Sequence, residues 1–111
     1  MGLADQSVMR EQAIEAELTD DRMAHLNTIL ETLVRDATRA LTAQGVPSER
    51  NRVLRRVHLR YEGTDSALVV HHAAPAQMQR QFESTYRSRF GFIMPGRALV
   101  AEAVSVEVIG A

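Results

Sequence analysis

Four histidines, His25, His58, His71 and His72, and the carboxylate pair Glu62 and Asp65 are the residues of this 111-residue chain whose types could support chemistry. An imidazole can move a proton or hold a metal near neutral pH, and two carboxylates in one turn could divide acid and base roles. The spacing argues against both. Only His71 and His72 are neighbours, and adjacent strand positions face opposite sides, so the two cannot hold one ion without distortion. They read as polar residues at a strand end. His25, one helical turn from Asp21, reads as surface. Glu62 and Asp65 flank Gly63-Thr64, where a carboxylate is ordinarily solvated or bonds nearby amides, as Asp65 is expected to do. Tyr61 reads as a core edge with a hydrogen-bonded hydroxyl.

Other catalytic classes lack their residues. There is no cysteine, and no serine stands in a Gly-x-Ser-x-Gly context. The glycines are scattered at positions 2, 45, 63, 91, 96 and 110, and the absence of lysine removes a Walker loop. No catalytic, cofactor-binding or metal-binding residue is assigned.

Length and composition fit one domain that buries its own core, with 45% hydrophobic and 24% charged residues. No apolar run reaches the roughly 18 residues of a membrane span, and no basic-then-apolar leader opens the chain. A cytoplasmic protein without a membrane or nucleic-acid partner is expected. A net charge of -1 gives no general pull on polyanions. All 13 basic residues are arginine, five of them clustered at Arg50, Arg52, Arg55, Arg56 and Arg60. With so many alanines beside them, the arginines read as base composition of the gene rather than as an anion footprint.

The elements that must position these residues follow from periodicity. Met23, Leu26, Leu30, Leu33, Ala37 and Ala40 form an apolar seam in a helix over 20–44, capped by Thr19 and ended by Gly45 and Pro47. The seam suits packing on a sheet better than a coiled coil of about three heptads. After a turn at Val46-Pro47-Ser48-Glu49, residues 52–61 alternate, with Val53, Val57, Leu59 and Tyr61 on one face and Arg56, His58 and Arg60 on the other. A turn at Glu62-Gly63-Thr64-Asp65 leads to a strand from Ala67. Pro75 opens a second helix along Met78, Phe82, Tyr86 and Phe90, which Gly91 closes. Val100, Val104, Val106 and Val108 share one parity of a last strand. Residues 1–17 have helix-prone composition, but two amphipathic helices need a broad sheet, so this segment is read as a strand with Val8, Arg10, Gln12, Ile14 and Ala16 on one face. The expected fold is an α+β two-layer sandwich, ferredoxin-like β-α-β-β-α-β, with two helices on one face of an antiparallel sheet.

Several stretches in order resemble one family: Gly2-Leu3-Ala4-Asp5, Gly45-Val46-Pro47 before the arginine-rich strand, Leu59-Arg60-Tyr61-Glu62-Gly63-Thr64-Asp65, Phe90-Gly91-Phe92 and the final valine strand. Together they are similar to the ATP-dependent 5-oxoprolinase and hydantoinase A family, which includes acetone carboxylase relatives. The Gly63-Thr64-Asp65 turn is more similar to the oxoprolinase branch. The resemblance implies a parent enzyme that uses ATP and magnesium to open a cyclic amide, 5-oxo-L-proline giving L-glutamate, around an actin-like nucleotide region. Those ATP-binding motifs are absent here, so no catalytic residue carries over. The expectation is an excised non-catalytic structural domain, Met1 not being the natural start, whose partners are the remaining domains of the parent, with oligomerisation possible. Arg56, His58 and Arg60 are expected to be exposed and to meet those domains. The competing readings are a free-standing ligand-binding or RNA-binding module, although the RNA-recognition signature is missing and Tyr61 is the nearest aromatic, and an independent small enzyme.

Overall fold

The computed structural model describes residues 6–45 and 51–110, so the Gly2-Leu3-Ala4-Asp5 segment, the turn at 46–49 and Arg50 lie outside the described residues. The elements come in the expected order: β1 (Gln6–Glu17), a 3-10 turn (Asp20–Arg22), α1 (Met23–Ala43), β2 (Arg52–Tyr61), β3 (Leu68–His71), α2 (Pro75–Phe90) and β4 (Leu99–Gly110). The strands form one antiparallel sheet. Both helices lie on the same side of it, since from one face of β2 Arg55 reaches Glu31 of α1 and Tyr61 packs on Phe82 of α2. The fold is therefore an α+β two-layer sandwich.

The order across the sheet is β1-β4-β2-β3. Each helix links two strands that have a third between them, as in a double split βαβ arrangement. The central pair, however, is β4 and β2, whereas the ferredoxin-like order centres the first and third strands. Side-chain chemistry explains the difference. A strand flanked on both sides and half covered by helices must be apolar on nearly every residue, and Ala101, Ala103, Val104, Ser105, Val106 and Val108 of β4 are all buried. β1 is largely polar, and of its residues only Val8 is buried. It belongs at an edge, where charge is tolerated and discourages further pairing.

The seam of α1 runs Leu26, Leu30, Leu33, Ala37 and Leu41, all buried. Its last contact is Leu41 rather than Ala40, which is partly buried. The seam packs on β4 and β1, as a sheet-covering helix should, while α2 lies over β3. Thr19 stands at the start of the 3-10 turn but makes no side-chain capping bond. α2 begins at Pro75, buries Met78, Phe82 and Tyr86, and ends at Gly91, whose φ of +84° is a left-handed conformation that a side chain resists.

Two bulges interrupt the ladder at one level. Between β2 and β4 the partners step from His58↔Ala103 to Leu59↔Ala101, leaving Glu102 as the extra residue. Between β1 and β4 they step from Ala13↔Ala103 to Ala16↔Ala101, and within that gap Glu15 has a φ of +52°. The bulge in β4 reverses its parity. Val104, Val106 and Val108 face the helices, but before the bulge Leu99 and Ala101 do, so Val100 is turned to the opposite face from the one its spacing predicts.

Leu30, fully inside the layer between α1 and the sheet, is a direct test of the packing. Leu30→Ala is expected to lower the unfolding free energy by about 2 to 5 kcal/mol in denaturant titrations. Gly91→Ala should lose about 1 to 2 kcal/mol through backbone conformation alone, because nothing lies within 4 Å of the added methyl group.

Candidate functional site

The sheet face away from the helices carries three polar contacts between β2 and β4. Arg56 stands opposite Ser105, His58 opposite Ala103 and Arg60 opposite Val100. Each side chain leans the same way, to the residue two positions beyond its partner on β4. Arg56 Nη1 donates to Glu107 Oε1 at 3.3 Å, His58 Nε2 meets Ser105 Oγ at 3.1 Å, and Arg60 Nε donates to Glu102 Oε2 at 3.1 Å. Diagonal neighbours come within reach of long side chains in this way.

Arg60 does more than pair across the ladder. Its Nη2 donates to Glu15 Oε1 at 2.7 Å, and its Nη1 faces the Thr64 carbonyl at 3.5 Å. The guanidinium thus ties together the two bulges and the β2–β3 turn. The hydrogen bond to Glu15 raises its pKa above the ordinary arginine value, partial burial opposes this, and the charges of Glu15 and Glu102 add to the rise. Such a group is a fixed cation without acid-base capacity. The expected exposure of the face is not found at its arginines: the side chains of Arg56 and Arg60 are 25% and 19% exposed, held across the sheet by their carboxylate partners. The ladder also covers Ser105, a buried hydroxyl on this face.

A second polar group occupies a shallow groove lined by Asn27, Leu30, Glu31, Arg55 and His72. Arg55 pairs with Glu31 at 3.0 Å. The backbone N–H of His72 donates to the Arg55 carbonyl, and its Nε2 lies 2.8 Å from Asn27 Oδ1. Burial, and then the Arg55 cation, lower the His72 pKa, with Glu31 acting the other way. His71 turns outward and is exposed, so the two histidines diverge as their adjacency predicts. The backbone of His71 is instead bracketed by the side-chain amide of Gln81, which accepts from its N–H at 3.0 Å and donates to its carbonyl at 3.2 Å. His25 is exposed on α1, and no group of three metal-ligating side chains occurs among the described residues.

Glu62 and Asp65 are exposed in their turn. It is Thr64, not Asp65, that closes it: the N–H and Oγ1 of Thr64 both donate to the Tyr61 carbonyl, at 3.1 and 2.8 Å. Gly63, at φ +86°, provides the reversal. Tyr61 is buried with its hydroxyl accepting from the Met94 N–H at 3.0 Å, as a core-edge phenol should. Its ring meets Phe82 and Tyr86 edge-on at 4.8 and 4.9 Å. Outside them stand Phe90 and Phe92, 4.5 and 5.5 Å from the Tyr86 ring. Helical spacing placed Phe90 on the apolar stripe, yet it and Phe92 remain among the large apolar residues left exposed. The Phe90-Gly91-Phe92 signature is the only sequence signal that singles them out.

A two-layer α+β domain of this fold, with no converging nucleophile and base among the described residues, has counterparts inside larger chains. The nucleotide-free structure of acetone carboxylase superposes with a TM-score of 0.84 at 15% identity, over 97% of this chain and 18% of that one. The ATP-dependent caprolactamase of Pseudomonas jessenii gives a TM-score of 0.84 at 19% identity, over 97% of this chain and 17% of that one. In sequence the chain is 26% identical over 108 residues to the 5-oxoprolinase of Dictyostelium discoideum, which is 97% of this chain and 8% of that protein. No family model matches the chain. The resemblance to the 5-oxoprolinase and hydantoinase type thus holds across nearly the whole sequence, and the chain spans a small part of each relative's length. Among the described residues no helix is long and apolar enough to cross a membrane.

His72 makes folding sensitive to acid. Its folded-state pKa lies below the ordinary imidazole value of about 6.5, so above that pH neither state is charged there. As the pH falls through that value the unfolded chain takes up the proton first, and stability declines towards the lowered folded value. Thermal melts should show this loss as the pH falls below about 7, and His72→Gln should flatten it. For the clamp, Arg60→Gln is expected to lower the melting temperature by leaving two carboxylates without their cation. Adding Glu15→Gln should restore part of the loss, as a double-mutant cycle would measure.

Proposed function

We propose that this chain is a non-catalytic structural domain of an ATP-dependent cyclic-amide hydrolase of the 5-oxoprolinase and hydantoinase type. The reaction of the parent would be 5-oxo-L-proline with ATP giving L-glutamate, in the cytoplasm, with ATP and magnesium held by other regions of the enzyme. The observation that carries this reading is the similarity to 5-oxoprolinase across 97% of the chain and 8% of the relative. The two solved structures support it by containing the same fold as a minor part of chains that use ATP.

The chemistry of the domain supports a scaffolding role. On the open sheet face Arg56 and Arg60 are committed to carboxylates of the same sheet, and the turn carboxylates Glu62 and Asp65 stand in solvent, with no nucleophile positioned against them among the described residues. The RNA-binding alternative loses its stacking residue, because Tyr61 is buried between the layers.

Glutamate release with ATP and magnesium is the deciding assay. The purified chain is expected to release none from 5-oxoproline, and the longer polypeptide that contains it is expected to turn over. Turnover by the purified chain alone that disappears in Glu62→Gln or Asp65→Asn would replace this reading with that of a small enzyme.

A further inference from the structure

We propose that the exposed side of α2 and its C-terminal end, where Phe90 and Phe92 follow Arg87 and Arg89 and Arg80 lies further back on the same helix, is the surface that docks on the rest of the parent polypeptide, against an acidic patch with an apolar side chain at its centre. The inference rests on the preceding reading of the chain as one domain of a larger enzyme.

Charge supports it first. α2 carries three arginines against one glutamate, in a chain whose net charge is -1. Among the described residues Arg10, Arg55, Arg56 and Arg60 meet carboxylates, whereas Arg80, Arg87 and Arg89 form no such pair; Arg22, Arg35, Arg39, Arg52 and Arg97 share that property, but only α2 carries three such arginines on one element. Arg87 and Arg89 in the last turn suit the negative end of the helix dipole, which would explain them alone. It explains neither Arg80 nor the exposed rings.

Shape and apolar exposure support it next. Phe90 is 41% exposed and Phe92 51%. Both pack on the buried ring of Tyr86, so they form the outer layer of a rigid aromatic stack whose inner members are Phe82 and Tyr61. Along the same helix Arg80, Glu83, Ser84 and Arg87 border a groove whose apolar wall is Ile93, the residue after Phe92. Aromatic rings and unpaired guanidinium groups around a shallow recess are the composition that protein interfaces favour over the rest of a surface.

The open sheet face is the weaker candidate for the same role. At its centre Arg56 and Arg60 already meet carboxylates, so covering them would remove paired charges from water without forming a new pair, and of the charges left unpaired among the described residues, Glu11 and Arg52 are of opposite sign. Its exposed apolar residues Met9 and Val69 sit on β1 and β3, the two opposite edges of the sheet, and form no common patch.

Hydroxyl-radical footprinting of the full polypeptide tests the proposal, with buried Phe82 as the reference inside the same domain. Phe90 and Phe92 are expected to oxidise within about twofold of Phe82, as interface-core rings do, and rates several-fold higher would overturn the docking surface. Combining Arg87→Glu with Arg89→Glu should raise oxidation of both rings by roughly tenfold while leaving Phe82 unchanged. Rings that stay protected in that variant would rule out an acidic partner surface. Protection that appears only as protein concentration rises would assign the patch to a second copy and overturn the proposal. Exposed rings in a polypeptide that still releases glutamate sink the docking surface alone. Protected rings in a polypeptide that opens no 5-oxoproline uphold the surface and sink the assigned substrate.

Discussion

Everything in this fold depends on burying β4 from both sides. The strand pairs with β1 along one edge and β2 along the other, and α1 covers it from above. With β2, which pairs with both β3 and β4, it joins the two βαβ units. Removing water from so much of one strand requires side chains that are small or branched and nearly free of charge, which the alanine and valine content of Leu99–Gly110 provides. Its one buried polar side chain, Ser105, is satisfied by His58. The apolar character of the strand fixes its place, and the places of β1 and β3 at the edges follow from it.

Arginines on β2 and on α2 have different physical roles. On β2, Arg56 and Arg60 hold carboxylates of neighbouring strands and Arg55 holds Glu31 of α1, and Arg60 spans three chain segments at once. Glu15 adopts a left-handed backbone that a non-glycine residue avoids, and its carboxylate is held by the shortest bond that Arg60 makes. The arginines of α2 lack such partners among the described residues. Arginine content therefore says little by itself; pairing decides whether a guanidinium supports the fold or is available to something outside it.

Much of the architecture was legible in the sequence. The period of α1, the start and stop of α2 at Pro75 and Gly91, and the Gly63 turn are local signals, set by residues within a few positions of one another. Reading β1 as a strand against its helical composition was an argument from sheet width, and the pairing with β4 bears it out. What escaped is non-local or unmarked. The bulge in β1 falls on a glutamate rather than a glycine, so nothing announces it. The bulge in β4 is written only as a change of parity between Ala101 and Val104, which a search for one continuous alternation passes over. Strand order was readable in principle from the contrast between polar β1 and apolar β4. The pairing of Arg60 with residues 42 and 45 positions away was not, because it requires the register of three strands.

The Gln81 amide against His71 has a consequence for how this sheet can grow. By occupying a donor and an acceptor on the backbone of β3, it imitates one rung of a ladder and blocks that rim to any incoming strand. The opposite rim, along β1, has no side chain that takes both a donor and an acceptor of one residue among the described residues; Arg10 Nη1 donates to the Met9 carbonyl at 2.9 Å, and the charges and bulge of β1 further discourage recruitment. Extension of the sheet is thereby made one-directional. A strand lent by a neighbouring domain, or one captured from a misfolded copy during aggregation, has a single side on which to join.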